Sequence, residues 1–145
     1  MSYQVKDYMT KKVNTIDCDV KVTEAAMAMA ADEKREGYVI CLIKGKPAGI
    51  VANIDIVNKV VAKKLDPSKT RVEDIMSTPL VTVDPDDDLL KASGLMREHN
   101  VSKLGVIRDD VIYGIITANI IAQRCGEYVD RSVRDIIRWS APLGV

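Results

Sequence analysis

At 145 residues, with 47% apolar residues, the chain is long and apolar enough for a folded core and too apolar for disorder. Lys+Arg and Asp+Glu both number 21, so the basic excess of a protein that coats nucleic acid is missing. Cys18, Cys41 and Cys125 stand far apart and His99 is the lone histidine, too sparse a set for the roughly four ligands of structural zinc.

An unpaired set of cysteines predicts a reducing, cytoplasmic setting. No apolar run approaches the roughly 20 residues that cross a bilayer, and Met1-Ser2-Tyr3-Gln4-Val5-Lys6-Asp7 does not read as a signal sequence.

In chain order, Val13-Asn14-Thr15-Ile16 reads as a short strand. Val22, Ala25, Ala26, Met29 and Ala30 then fall on one helix face, and Gly37 ends that helix. Tyr38 to Ile43 is a continuous apolar strand, predicted to be buried on both faces. Lys44-Gly45-Lys46-Pro47 turns the chain, Ala48 to Val51 returns, and Ile54 to Lys64 forms a second helix. The order is β-α-β-β-α.

After a polar stretch at 66–71 the plan repeats. Leu80 to Val83 is the strand, and Asp86, Asp87 and Asp88 crowd a helix start, where the dipole favours them. Leu89, Ala92, Ser93 and Met96 form the buried face. Leu104 to Arg108 and Val111 to Ile116 make a hairpin, and Thr117 to Tyr128 closes the copy. The predicted organisation is a first repeat at 1–65, a linker at 66–71, a second repeat at 72–128 and a tail at 129–145. That tail echoes the repeat opening again at Val133-Arg134-Asp135.

The repeat is visible residue by residue. Val5-Lys6-Asp7-Tyr8-Met9-Thr10 aligns with Val72-Glu73-Asp74-Ile75-Met76-Ser77, and the same offset carries Thr15 onto Thr82, Ala25 onto Ala92, Met29 onto Met96 and Val39-Ile40 onto Val106-Ile107. A two-residue deletion placed in the second hairpin then brings Gly49-Ile50 onto Gly114-Ile115. Both copies end where a strand turns directly into a helix, a junction that presents N–H groups suited to an anion. The first copy carries Asp55, an acceptor for vicinal hydroxyls. The second carries Thr117, a hydroxyl at a helix start. Plain helix capping is the rival reading of each residue.

These motifs resemble a tandem pair of cystathionine-β-synthase (CBS) domains from about Val5 to about Tyr128. The carriers are the doubled Val-x-Asp-x-Met-type opening, the Ala-x-x-x-Met helix and the Gly-(apolar)-x-(apolar)-Thr-x-x-Asp type of ending. The resemblance implies an α+β fold in which two pseudo-twofold-related β-α-β-β-α repeats pack through their sheets. It implies a regulatory cleft for AMP, ADP, ATP or S-adenosylmethionine, a homodimer formed through helix faces, an effector protein, and no required cofactor. In the family ending, Asp holds the ribose hydroxyls and Thr assists. Here Ala52 replaces the first Thr and Ile120 the second Asp. By the same resemblance one cleft comprises Asp55, Ile50 and Ala52 with Thr78, Pro79, Leu80 and Val81. The other comprises Thr117 and Asn119 with Thr10, Lys12, Val13 and Asn14, and is expected to be empty or altered. Arg35 and Lys103 match the family's phosphate-facing positions.

No residue pair reads as a catalytic acid and base, and no nucleophile has a neighbouring base, so catalytic and metal residues are expected to be none. The rival readings are a ligand-free interaction module and, weakest, a nucleic-acid binder built on Lys11-Lys12, Lys63-Lys64 and the basic tail. Helix faces around Met27, Met29, Leu95 and Met96 are the expected dimer contacts.

Overall fold

The computed structural model describes residues 3–124. The end of the second repeat, Cys125 and the 129–145 tail lie outside the described residues. The fold is mixed α+β with two three-stranded sheets.

In the first repeat, β1 (Thr15–Asp17) runs parallel to β2 (Tyr38–Ile43), which pairs antiparallel with β3 (Lys46–Ala52). Helix α1 (Val22–Ala31) crosses from β1 to β2 and buries Val22, Ala25 and Met29. Tyr38, Val39, Ile40 and Cys41 are all fully buried, as the unbroken apolar run predicts for a central strand. The second helix begins as α2 (Asn53–Ile56) and continues as a π-helical segment, Val57–Val61. Its wider turns show in the bonds from Ala62 N–H to the Val57 carbonyl and from Leu65 N–H to the Val60 carbonyl, both 2.9 Å.

The second repeat has the same order: β4 (Thr82–Val83), α3 (Leu89–His99), β5 (Lys103–Arg108), β6 (Val111–Thr117) and α4 (Ala118–Arg124). Asp88 caps α3 by accepting the Leu90 N–H at 2.6 Å, and Asn100 ends it in the left-handed conformation.

The register of the second repeat differs from the sequence alignment. Cys41 lies opposite Ile16, and its counterpart opposite Val83 is Val106. A bulge follows each of them. The hairpin turns are equal in length. Lys44 and Gly45 in one, and Asp109 and Asp110 in the other, all have positive φ, as a twisted two-residue hairpin requires. The deletion therefore lies in the helix-to-strand connection, which runs from Asp32 to Gly37 in one repeat and from Asn100 to Ser102 in the other. An apolar run without alternation has no internal mark of register, which is why the sequence placed the gap in the wrong loop.

The compact units are out of phase with the repeats. The boundaries 1–65 and 72–128 follow the sequence repetition. One compact unit instead spans Val13–Leu80, and the other joins the described residues up to Lys12 to those from Val81 onward. The leading segment of each repeat completes the sheet of the other. In the Val13–Leu80 unit, a one-turn helix at Val72–Asp74 buries Val72 and Ile75 in a core with Val22, Val39 and Val51. Its backbone is fixed by bonds from Val72 N–H to Val20 O and from Glu73 N–H to Cys18 O, both 2.9 Å. In the other unit, a turn at Val5–Asp7 buries Val5 with Leu89, Met96 and Leu104. Val5 N–H donates to Asp87 O and Lys6 N–H to Pro85 O, again at 2.9 Å.

Each leader then crosses the middle of a strand. Ser77 and Ile50 exchange two backbone bonds of 2.9 and 3.0 Å, and Thr10 and Ile115 exchange two of 2.9 Å. At each crossing stands a glycine. A Cβ on Gly49 would sit 2.6 Å from the Ser77 carbonyl oxygen, and one on Gly114 would sit 2.5 Å from that of Thr10. Both obstacles are backbone held by paired hydrogen bonds, so neither can step aside. Gly49→Ala and Gly114→Ala are each expected to cost about 1–3 kcal/mol, the usual penalty of overpacking. Gly94, inside α3 with nothing within 4 Å of its Cβ position, is the control. Gly94→Ala should stabilise by up to about 1 kcal/mol through helix propensity. Urea unfolding midpoints of the three variants read both signs.

Candidate functional site

The first junction lies wholly within the Val13–Leu80 unit. Strand β3 ends at Ala52, and α2 starts at Asn53, whose N–H donates to the Gly37 carbonyl at 2.9 Å. Asp55, three residues into the junction, accepts the Ala52 N–H at 2.8 Å. Its other oxygen faces the Lys59 ammonium at 3.2 Å, one helical turn on. Lys59 also donates to the Ile75 carbonyl of the leader at 2.9 Å. The carboxylate is thus oriented on two sides, with its side chain 17% exposed. Its oxygens still hold unused lone pairs for hydroxyl donors. The junction's Ala52 and Asn53 N–H groups are already taken, so this end of the helix offers little to an anion. The charge present favours hydroxyls over phosphate.

The leader runs on beside β3. After the Ser77–Ile50 pair, the Thr78 hydroxyl donates to the Ala48 carbonyl at 2.9 Å, and Leu80 N–H reaches the same oxygen at 3.3 Å. The Thr78–Pro79 bond is cis. Ile50, Ala52, Asp55, Thr78, Pro79 and Leu80 therefore belong to one compact unit. Val81 begins the other, where its carbonyl accepts from Gly105 N–H at 3.1 Å. Arg35 is exposed in the turn between α1 and β2, with φ of 52°.

The second junction is built alike but capped differently. Ala118 N–H donates to Ser102 O at 2.9 Å, the counterpart of the Asn53–Gly37 bond. The Thr117 hydroxyl accepts the Ile120 N–H at 3.1 Å, an ordinary N-cap. Ile120 packs against the core of its unit. Asn119 is exposed and Thr10 is bridged to Ile115. Lys103 opens β5 directly opposite Thr117, so its positional counterpart is Tyr38, opposite Ala52, and not Arg35. Of the residues expected beside this junction, Thr10 and Lys12 share its unit. Val13 and Asn14 lie in the other unit, where the Asn14 amide donates to Asp32 at 3.1 Å.

Lys59 is the site residue that the sequence reading passed over. Its signal was its place four residues after Asp55, where a helix brings opposite charges together.

Each unit also has an open groove at its hairpin end. One, about 540 Å³, is lined by Lys6, Met9, Lys11, Asp86, Arg108 and Tyr113. Its strongest cation is committed: Arg108 donates to Asp84 through Nε at 3.0 Å and Nη2 at 2.6 Å and also bonds Asp86, while Lys6 pairs with Asp86 at 2.9 Å. The other, about 470 Å³, is lined by Asp17, Cys18, Asp19, Lys44 and Glu73 among others, with an acidic balance.

Two β-α-β-β-α repeats in tandem, each completed by the other's leader, define a class of paired α+β modules. The CBS domain profile matches residues 5–62 and 72–125, and the chain belongs to the CBS domain family, carrying two copies. It is 30% identical to the CBS domain-containing protein YhcV of Bacillus subtilis over 118 residues, 81% of this chain and 82% of that one. It superposes on a hexameric CBS-CP12 protein from bloom-forming cyanobacteria with a TM-score of 0.79 and 28% identity, covering 99% of this chain and 86% of that one. A CBS domain pair in complex with 5′-methylthioadenosine and S-adenosyl-L-methionine matches with a TM-score of 0.76 and 25% identity, over 88% of this chain and 98% of that one. Among the described residues, no helix is long and apolar enough to cross a membrane.

The Arg108 clamp carries a pH signature. Its hydrogen bonds hold the Asp84 carboxyl at about 2, below the ordinary value near 3.9. The native state therefore binds this proton less readily than the unfolded chain. The resulting stabilisation is full above about pH 4 and is lost as pH falls towards 2. Arg108→Met should flatten that acid limb of the stability–pH curve, as read by urea unfolding at stepped pH.

Proposed function

We propose that this chain is a regulatory module that binds the adenosine part of a small molecule at the Asp55 junction, with the vicinal ribose hydroxyls donating to that carboxylate. The observation that carries the reading is the Asp55 side chain itself: oriented by Ala52 N–H and Lys59, and set in the same unit as Thr78, Pro79 and Leu80. Membership of the CBS family supports it, as does the related pair solved with two adenosine-containing compounds. AMP, ADP, ATP and S-adenosylmethionine share the adenosine. Arg35 is the cation of this unit assigned to a phosphate. The module has no catalytic role of its own in this reading, and its output passes to an effector protein through a difference in affinity between two shapes.

Binding is proposed at one site per chain. Ile120 stands where a second ribose carboxylate would be, and a buried hydroxyl left unpaired costs about 1–3 kcal/mol. Thermal unfolding with AMP, ATP, S-adenosylmethionine and 5′-methylthioadenosine is the first test. A ligand at 100 times its dissociation constant should add about 2.7 kcal/mol. Calorimetry should then give one site, weakened about tenfold or more by Asp55→Ala, since a hydrogen bond to a charged group contributes about 1.5–3 kcal/mol. Asp55→Asn, which keeps an acceptor for Ala52 N–H, separates loss of ligand from loss of the cap. No shift with any of the four compounds would favour the ligand-free interaction reading, and two equal sites would remove the role given to Ile120.

Self-association belongs to the same proposal. Met29 and Met96, which the sequence places on buried helix faces as well as near the expected dimer contact, are core residues. Met27, of the same expected set, is 65% exposed, and other exposed apolar side chains include Ile54, Val57, Val61 and Leu65 along the second helix and the turn after it. A face of this kind marks a contact surface. A homodimer is expected by light scattering, and a 16.0 kDa species at all concentrations would count against it.

A further inference from the structure

The first unit holds a cluster of sulfur atoms that has no equivalent in the second. Cys18 follows β1, Cys41 lies in the middle of β2, and Met76 comes from the leader that crosses Gly49. Cys18 Sγ is 3.5 Å from Met76 Sδ. Cys41 Sγ donates to the Val39 carbonyl at 3.8 Å, and Cys18 and Cys41 are buried in the same core cluster, against which Met76 packs. The parallel ladder explains this. Ile16 lies opposite Cys41, and Cys18, two residues on, has its N–H bonded to Leu42 O at 2.8 Å. Residues two apart on a strand share a face, so the two thiols are diagonal neighbours.

The second unit is an internal comparison. Met9 Sδ lies against the Cβ position of Gly114 at 3.0 Å, as Met76 Sδ lies against that of Gly49 at 2.9 Å. A methionine at the crossing is thus common to both units. At the places of Cys18 and Cys41 the second unit has Pro85 and Val106, fixed by the matching backbone bonds and strand register. The fold needs no thiol at either place. The pair is an addition to the first unit.

We propose that Cys18, Cys41 and Met76 form a binding site for a soft monovalent metal ion of the copper(I) class. Two thiolates and a thioether are the donor set that selects copper(I) over harder cations. Among the described residues, no three His, Cys, Asp or Glu side chains converge as a metal cage, and the third donor offered beside the two thiols is the Met76 thioether. An ion has a route in. Cys18, 2% exposed, lines the open 470 Å³ groove whose mouth carries Asp17, Asp19 and Glu73 against Lys44. That acidic rim concentrates cations. Burial and the neighbouring carboxylates raise the Cys18 thiol, and burial pushes Cys41 up to about 12. Both stay protonated at neutral pH and resist alkylation, while a soft metal can still take the place of the protons. On binding, each thiol loses one proton to solvent and forms one sulfur–copper bond. Met76 donates a lone pair and loses nothing. Copper remains in the +1 state, and no oxidant or reductant is consumed.

The test uses the full chain with Cys125→Ser, so that the third cysteine cannot compete. Under anaerobic conditions it is titrated into copper(I) held by bicinchoninate. One equivalent should be withdrawn from the chelator, with an ultraviolet thiolate-to-copper band, sulfur-only coordination by X-ray absorption, and a raised unfolding temperature. Cys41→Val introduces the residue that the second unit already carries. It should fold, by circular dichroism and thermal unfolding, and lose the bound equivalent. Met76→Leu should weaken binding without abolishing it. No copper withdrawn from the chelator, or wild-type binding by a folded Cys41→Val protein, overturns the proposal. If Cys41→Val does not fold, Cys18→Ser carries the same reading.

Discussion

Two backbone segments cross at contact distance in each unit, and the rest of the architecture depends on that crossing. Ser77 can exchange hydrogen bonds with Ile50, and Thr10 with Ile115, only because the preceding residue in each strand is glycine. A side chain there would hold the leader off the strand. Val72 and Ile75, or Val5, would then be drawn out of the cores they fill. Each sheet has only three strands, and a sheet that small needs further apolar cover. The leader supplies it. The chain thereby ties each repeat to the segment that precedes the other, which makes a single repeat an incomplete folding unit.

The same crossing sets up the candidate site. Strand β3 and the leader share the Ala48 carbonyl and the Ile50–Ser77 pair, so Thr78, Pro79 and Leu80 lie along the strand that delivers Ala52 and Asp55. Lys59 joins the two by bonding both Asp55 and the carbonyl of Ile75. The lysine that faces the Asp55 carboxylate is the same one that holds the leader. A change at the carboxylate is in this way coupled to the element that completes the core.

The two junctions also show what a Thr-x-x-Asp ending is in physical terms. Together the threonine and the acid make a capping box, in which the hydroxyl accepts an N–H of the first turn and the carboxylate reaches back to the cap residue. Here the box is divided. Asp55 makes the backward bond to Ala52, and Thr117 makes the forward bond from Ile120. Each helix start keeps one bond of the pair. Only the junction with the acid keeps a charged acceptor, so capping alone leaves the two repeats chemically unequal.

By itself the sequence determined the elements, their order and their doubling. Helix faces and apolar strands are local patterns, and repetition is visible without coordinates. The family followed from the doubled motifs, and so did the contrast between Asp55 and Ile120. Register and partnership were decided only by tertiary structure. The gap between the repeats lies before β5 and not in the hairpin, because an unbroken apolar strand looks the same when shifted while its bulge and turn do not. The exchange of leaders and the meeting of Cys18, Cys41 and Met76 both depend on contacts between residues far apart in the chain. Side-chain spacing within one segment carries no record of which distant backbone will come to lie across it.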